Sequence, residues 1–195
     1  MIGLGMDAFV GPMYEKGLFN LSNIVAESKK EMDAGQAASS NSAIKVSEVQ
    51  NESHTFVVKR AEVKMENIAG FYAEHLPAIM MAVGAAGHEP AGMPCGLYYF
   101  WDEANGKTDM CAAIPVSDPK IQIEGYETVT LPAGKSVHVA HYGDYDKTAP
   151  VHMAIDNYMK ANGLEQVGPV MEEYANDPTT VKPEEVLTNV YYPVK

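Results

Sequence analysis

Glu172 and Tyr174 stand two residues apart in Val170–Tyr174, a segment whose composition reads as a strand. Strand side chains alternate, so the carboxylate and the ring share one face. A carboxylate shielded among aromatic rings suits an organic cation, through charge and cation–π attraction. The competing use of the same residues is a solvent-facing Glu beside Glu173 and a Tyr packed in the core. Tyr98, Phe100, Trp101, Tyr142 and Tyr191 add aromatic surface spread along the chain. Ligand clefts are mostly apolar with a few placed polar groups. These five are therefore candidate walls, with core packing as the alternative for each.

Other chemistries are poorly supplied. His138 and His141 are three apart in a strand-like stretch and face opposite ways, unlike a metal pair. Cys95 and Cys111 lack metal-ligand spacing, and no Cys–His–acid arrangement is legible around Cys111. Both read as buried, unbridged thiols. Gly134 and Gly143 read as turn glycines, without a phosphate-loop pattern. No cofactor, metal or catalytic residue is expected from the sequence.

Charge narrows the partners. Acidic residues outnumber basic ones 26 to 14, giving a net charge of −12, and Arg60 is the sole arginine. A duplex-binding surface needs clustered Lys and Arg to release counterions, so direct nucleic-acid binding is not expected. The same field attracts cations and repels anionic membranes. No apolar run reads as the roughly 20 residues that span a bilayer, and Met1–Val10 lacks the basic flank and cleavage site of a signal peptide. The expected setting is cytoplasmic.

The elements that must position these residues come in two sets. Met6–Lys30 carries apolar residues at helical spacing, and residues 33–42 have linker composition. From about residue 44 the chain repeats itself. Gly87 and Gly92 recur as Gly163 and Gly168, offset by 76, and Pro115-Val116 recurs as Pro193-Val194, offset by 78. Each unit reads as an opening strand, a helix and a closing hairpin. Thr55–Val63 and Glu127–Tyr142 open the units, the second interrupted at Leu131-Pro-Ala-Gly134. Pro77 and Pro150 are expected near the helix starts, and Asn105-Gly106 marks the first hairpin turn. With that turn, Cys95 falls opposite about residue 115 and Cys111 opposite about residue 99, beyond disulfide reach. The expected fold class is α+β: two pseudo-twofold-related βαββ-like repeats, about 44–118 and 119–195, preceded by an N-terminal helix and linker over 1–43.

The order of short motifs carries a family resemblance. Residues 132–135 (PAGK), 141–145 (HYGDY), 168–174 (GPVMEEY), 176–178 (NDP) and 191–194 (YYPV) resemble the second half of GyrI-like domains, also called AraC-type effector-binding domains. Residues 65–68 (MENI), 76–79 (LPAI) and 89–94 (EPAGMP), leading to Leu97-Tyr98 and Trp101-Asp102, match the first half. The resemblance implies a ligand cleft between the repeats that takes lipophilic, often cationic, small molecules. Members of that family serve as effector domains of transcription regulators, stand alone, or inhibit gyrase, and a subset hydrolyses strained toxins. It also implies a ligand-facing carboxylate on the last strand, in a Thr-Glu-Ile-Tyr-like stretch. Here the stretch is Thr188-Asn189-Val190-Tyr191, which puts Asn189 at that place, and Cys111 is its counterpart in the first unit.

Residues 1–27 resemble the closing helix of START-type, polyketide-cyclase-like domains. That implies a START-type domain in a longer protein, and it leaves open a homo-oligomer formed through the N-terminal helix. The function expected is non-catalytic binding of a lipophilic small molecule, as an effector- or toxin-binding protein. Tyr98, Phe100, Trp101, Tyr142, Glu172, Tyr174, Asn189 and Tyr191 are its candidate contacts. Hydrolysis of an electrophilic toxin, with Glu172 activating water, and a gyrase-inhibitor-like protein contact are the alternatives.

Overall fold

The structure, a computed structural model, describes residues 44–195. The expected N-terminal helix, the 33–42 linker and any oligomer contact through them lie outside the described residues. One eight-stranded antiparallel sheet organises the rest. Its strands are β1 (Ser47–Asn51), β2 (His54–Lys64), β3 (Cys95–Asp102), β4 (Lys107–Val116), β5 (Glu127–Leu131), β6 (Gly134–Tyr142), β7 (Val170–Tyr174) and β8 (Leu187–Val194). The spatial order is β1-β6-β8-β7-β3-β4-β2-β5. Helices α1 (Ile68–Ala85) and α2 (Ala149–Asn162) follow β2 and β6. The order reads symmetrically from its centre, with β3 paired to β7, and each repeat is a βαββ unit.

The registers repeat as the sequence does. Cys95 faces Ala113 and Met171 faces Tyr191, shifts of 76 (171 − 95) and 78 (191 − 113). Beside them, Ala91 N–H donates to Pro115 O at 2.8 Å and Val167 N–H donates to Pro193 O at 2.9 Å. Each opening strand is broken, and its first part crosses to the other repeat. Thus β1 pairs with β6, while β5 pairs with β2. The break before β6 falls at Pro132-Ala133, where proline supplies no N–H to continue a ladder. The two repeats are thereby tied at both sheet edges.

Both helices lie on one face, α1 against β2 and β4 and α2 against β6. In α1, Tyr72, Leu76, Ile79 and Val83 recur at three-to-four spacing and are buried. In α2 the stripe is Val151, Ile155 and Met159, and Gly163 closes it with a φ of 64°. Two sequence expectations need correction here. Pro77 lies inside α1, not near its start, because helical structure already begins at Met65 in a 3-10 turn and runs into one 18-residue helix. Residues 65–85 are also long and apolar enough to cross a membrane by length and composition. In the fold that stretch lays its buried stripe on the sheet.

Candidate functional site

Side chains of the central strands point alternately to two very different faces. On the helix face a large core includes Val57, Leu76, Ile79, Tyr98, Met110, Ile155 and Tyr192. On the opposite face Phe56, Val58, Cys95, Leu97, Cys111, Ala113 and Met171 form a second buried cluster, flanked by Tyr99, Val129, Leu131 and Tyr191. Every residue of that cluster belongs to a strand; among the described residues no helix covers this open face. It straddles the junction of the repeats, since Cys95 and Leu97 of β3 stand opposite Glu173 and Met171 of β7.

Polar groups cluster at one side of this apolar floor. Asn189 Nδ2 donates to Glu173 Oε2 at 2.9 Å. Its Oδ1 lies 3.2 Å from His138 Nε2. The His138 ring stacks on Tyr191 at 4.7 Å between centroids. Glu173 is half-buried, so its carboxylate borders solvent as well as the floor. Burial pushes the Tyr191 hydroxyl up to about 12, with the Glu173 charge adding to the effect. The far side is framed differently. A β-bulge between Tyr98 and Phe100 inserts Tyr99 as an extra residue. Arg60 stacks its guanidinium on the Tyr99 ring at 3.8 Å and grips Asp109 with two hydrogen bonds. The Cys111 thiol between them is pushed up to about 12 by burial, which keeps it protonated and unreactive.

The helix face holds a separate, enclosed network. Glu172 is buried, and its Oε1 lies 3.1 Å from His152 Nε2. His152 Nδ1 lies 3.0 Å from the Tyr192 hydroxyl. Tyr72 donates to the Tyr98 hydroxyl at 2.9 Å, and Tyr174 packs edge-on against Tyr72. Burial raises the Tyr72, Tyr98 and Tyr174 hydroxyls well above the ordinary tyrosine range, and the Glu172 charge adds to the effect in all three. Trp101 stacks on Tyr98 from outside. The Glu172–His152–Tyr192 arm belongs to the second repeat alone: matching registers put Gly96 and Ile114 where that repeat has Glu172 and Tyr192.

Residues 44–195 match the model of the GyrI-like small molecule binding domain. The chain belongs to the GyrI-like family. No curated protein matches the sequence. The GyrI-like fold recurs in solved structures. The EcmrR C-terminal domain superposes with a TM-score of 0.64 at 17% identity, covering 78% of this chain and 98% of that one. SAV2435, whose structure holds tetraphenylphosphonium, gives 0.58 at 20%, with 78% and 94% covered. EcmrR in a DNA complex gives 0.68 at 17%, with 94% of this chain covered. The present chain spans 65% of that EcmrR chain. At these identities the likeness shows the fold.

The GyrI-like frame distributes the candidate residues over both faces. Tyr98, Trp101, Glu172 and Tyr174 gather on the helix face, whereas Asn189 and Tyr191 lie on the open face. Phe100 and Tyr142 are exposed and make no ring contact with either group. Sequence reasoning passed over Glu173, Tyr99 and His138 on the open face, and Tyr72, His152 and Tyr192 on the other. The repeat offset of 78 makes Cys111 and Ala113 the first-repeat equivalents of Asn189 and Tyr191. Among the described residues no group of three or more His, Cys, Asp or Glu is arranged to hold a metal ion. The open hollow under residues 119–126, bounded by Thr128 and Thr130, sits at the β5 edge and contains none of these groups.

Proposed function

We propose that this GyrI-like domain binds a lipophilic cation on the open face, in the groove between the repeats, as an effector- or toxin-binding protein. The observation that carries the reading is the Glu173 carboxylate, held by Asn189 and bordered by Tyr191 and His138, beside an apolar floor that no described helix covers. A cation beside Glu173 gains charge attraction, while the half-buried Tyr191 ring covers part of its apolar groups. Asn189 makes the carboxylate's position definite, and it takes no charge from it. Glu172 is the poorer candidate, because it is already paired with His152 inside the helix-covered core. The tetraphenylphosphonium bound by SAV2435 has the chemistry this groove suits.

Calorimetric titration with butyltriphenylphosphonium and with neutral triphenylphosphine oxide tests the reading. The cation is expected to bind more tightly by about tenfold, as a charge–charge attraction of about 1.4 kcal/mol near the protein surface supplies. Equal binding of the two compounds, or none, would overturn it.

A further inference from the structure

Glu173 is one end of a short polar chain on the open face. Asn189 Nδ2 donates to its Oε2 at 2.9 Å, and Asn189 Oδ1 lies 3.2 Å from His138 Nε2. Because Nδ2 is taken up by Glu173, the amide turns its oxygen to His138, and that oxygen can only accept. Nε2 therefore carries the N–H in the neutral ring, and Nδ1 is bare. Among the described residues nothing hydrogen-bonds Nδ1. A second proton can enter there without breaking any bond of the chain. It puts a full positive charge one amide group away from Glu173. Glu173, Asn189, His138 and Tyr191 are all partly exposed, so a ligand and a proton can both reach them. The first repeat has no counterpart, since Leu97, Cys111, Val58 and Ala113 stand at those register positions.

Resting on the Glu173 reading above, we infer that His138 sets the charge of the cation site: the neutral ring admits a lipophilic cation, and the imidazolium repels it. Binding is then linked to a proton, and the coupling runs both ways, so a bound cation drives the proton off His138. Affinity is whole where the ring is neutral and falls as the pH drops through the imidazole range, between about pH 8 and 5. Few other groups face the ring. On β7 stands Glu173, and on β8 stand Asn189 and Tyr191, whose hydroxyl is pushed up to about 12. On β1, Ser47 lies directly opposite and Val49 follows on the same face, with the exposed Lys45 two residues before Ser47. His141 of the same strand falls on the helix side with Val137 and Val139, where its Nε2 lies 3.1 Å from Asp144 O. Carboxyl, phenol and ammonium groups ordinarily titrate outside the imidazole range.

Calorimetric titration of butyltriphenylphosphonium between pH 8 and pH 5.5, in buffers of different ionisation enthalpy, tests this. Affinity is expected to fall about threefold to tenfold over that interval, as one charge about 8 Å away imposes near a protein surface. At pH 6 binding should release a measurable fraction of a proton. In His138→Gln, whose amide N–H can still meet Asn189, the slope and the release should both vanish, whatever affinity remains at pH 8. His138→Phe, which keeps a ring against Tyr191, serves if the Gln variant does not fold. Proton NMR of the imidazole rings supplies a readout that a structural role would not move. The resonance missing from the variant should shift toward its neutral position when the cation is added to the wild type at pH 6. A flat affinity across the interval, proton release that persists in a folded His138 variant, or a His138 resonance indifferent to the cation overturns the inference. Butyltriphenylphosphonium that binds at pH 8 without any pH dependence leaves the Glu173 site standing and removes the linkage alone. No binding at pH 8 removes both.

Discussion

Gly96 of β3 stands directly opposite Glu172 of β7, at the point where the two repeats meet. The two positions are equivalent in the repeat, yet one has no side chain and the other a buried carboxylate. A Cβ on Gly96 would run into the Tyr72 hydroxyl and press on the Tyr98 ring. Gly96→Ala should therefore destabilise the fold by about 1–3 kcal/mol, as overpacking does. Urea denaturation monitored by circular dichroism measures it, and an unchanged midpoint would show that the tyrosine pair shifts freely.

The His152–Glu172 pair makes a second prediction about stability. Removing His152 takes a hydrogen-bond partner from a buried carboxylate, a loss of about 1–3 kcal/mol. His152→Gln retains a donor and should lose less than His152→Ala. Because the pair lies on the helix face, any folded His152 variant should keep its affinity for butyltriphenylphosphonium. A folded variant with weakened binding would tie the helix-face network to the ligand.

Alkaline pH should unfold the protein through its buried tyrosines. The hydroxyls of Tyr72, Tyr98 and Tyr174 ionise well above the unfolded value of about 10. A group raised in the folded state contributes stability that is whole below that value and is lost as the pH rises above it. In an absorbance titration, part of the phenolate signal should be missing near pH 10 and then appear together with loss of near-ultraviolet circular dichroism. Complete ionisation near pH 10 in a folded protein would contradict the burial of these rings.

Cys95 and Cys111 are both free and buried, on neighbouring strands but two positions out of register. Burial raises both thiols. Alkylation by iodoacetamide at neutral pH should be slow in the native state and complete on denaturation. Rapid native labelling at Cys111 would mean that the groove floor is open to solvent.

The repeat was legible in the chain because glycines and prolines mark fixed turns and edges, and those landmarks keep one spacing. Both free cysteines were legible too, although the register was two residues off. The expected partners of Cys95 and Cys111 were about residues 115 and 99, whereas they are Ala113 and Leu97. The bulge at Tyr99 adds a residue to β3 and accounts for one of the two; the other arises because the turn centres between Ala104 and Asn105, not on Asn105. The site was harder to read, since one residue along a strand changes the face. Glu172 and Glu173 are adjacent and chemically identical. Which of them lines the groove depends on the side of the sheet that the helices cover, and α1 and α2 take the Glu172 side. Asn189 was singled out through the family resemblance and Tyr191 as an aromatic wall candidate, and both fall on the Glu173 face.

That difference of one residue supplies the most direct measurement: calorimetric titration of butyltriphenylphosphonium into the wild type, Glu173→Gln and Glu172→Gln. An open-face site predicts a loss of about tenfold for Glu173→Gln, the value of one charge–charge attraction near the surface, and little change for a folded Glu172→Gln. The reverse pattern would place the cation among the helix-face tyrosines and contradict the account.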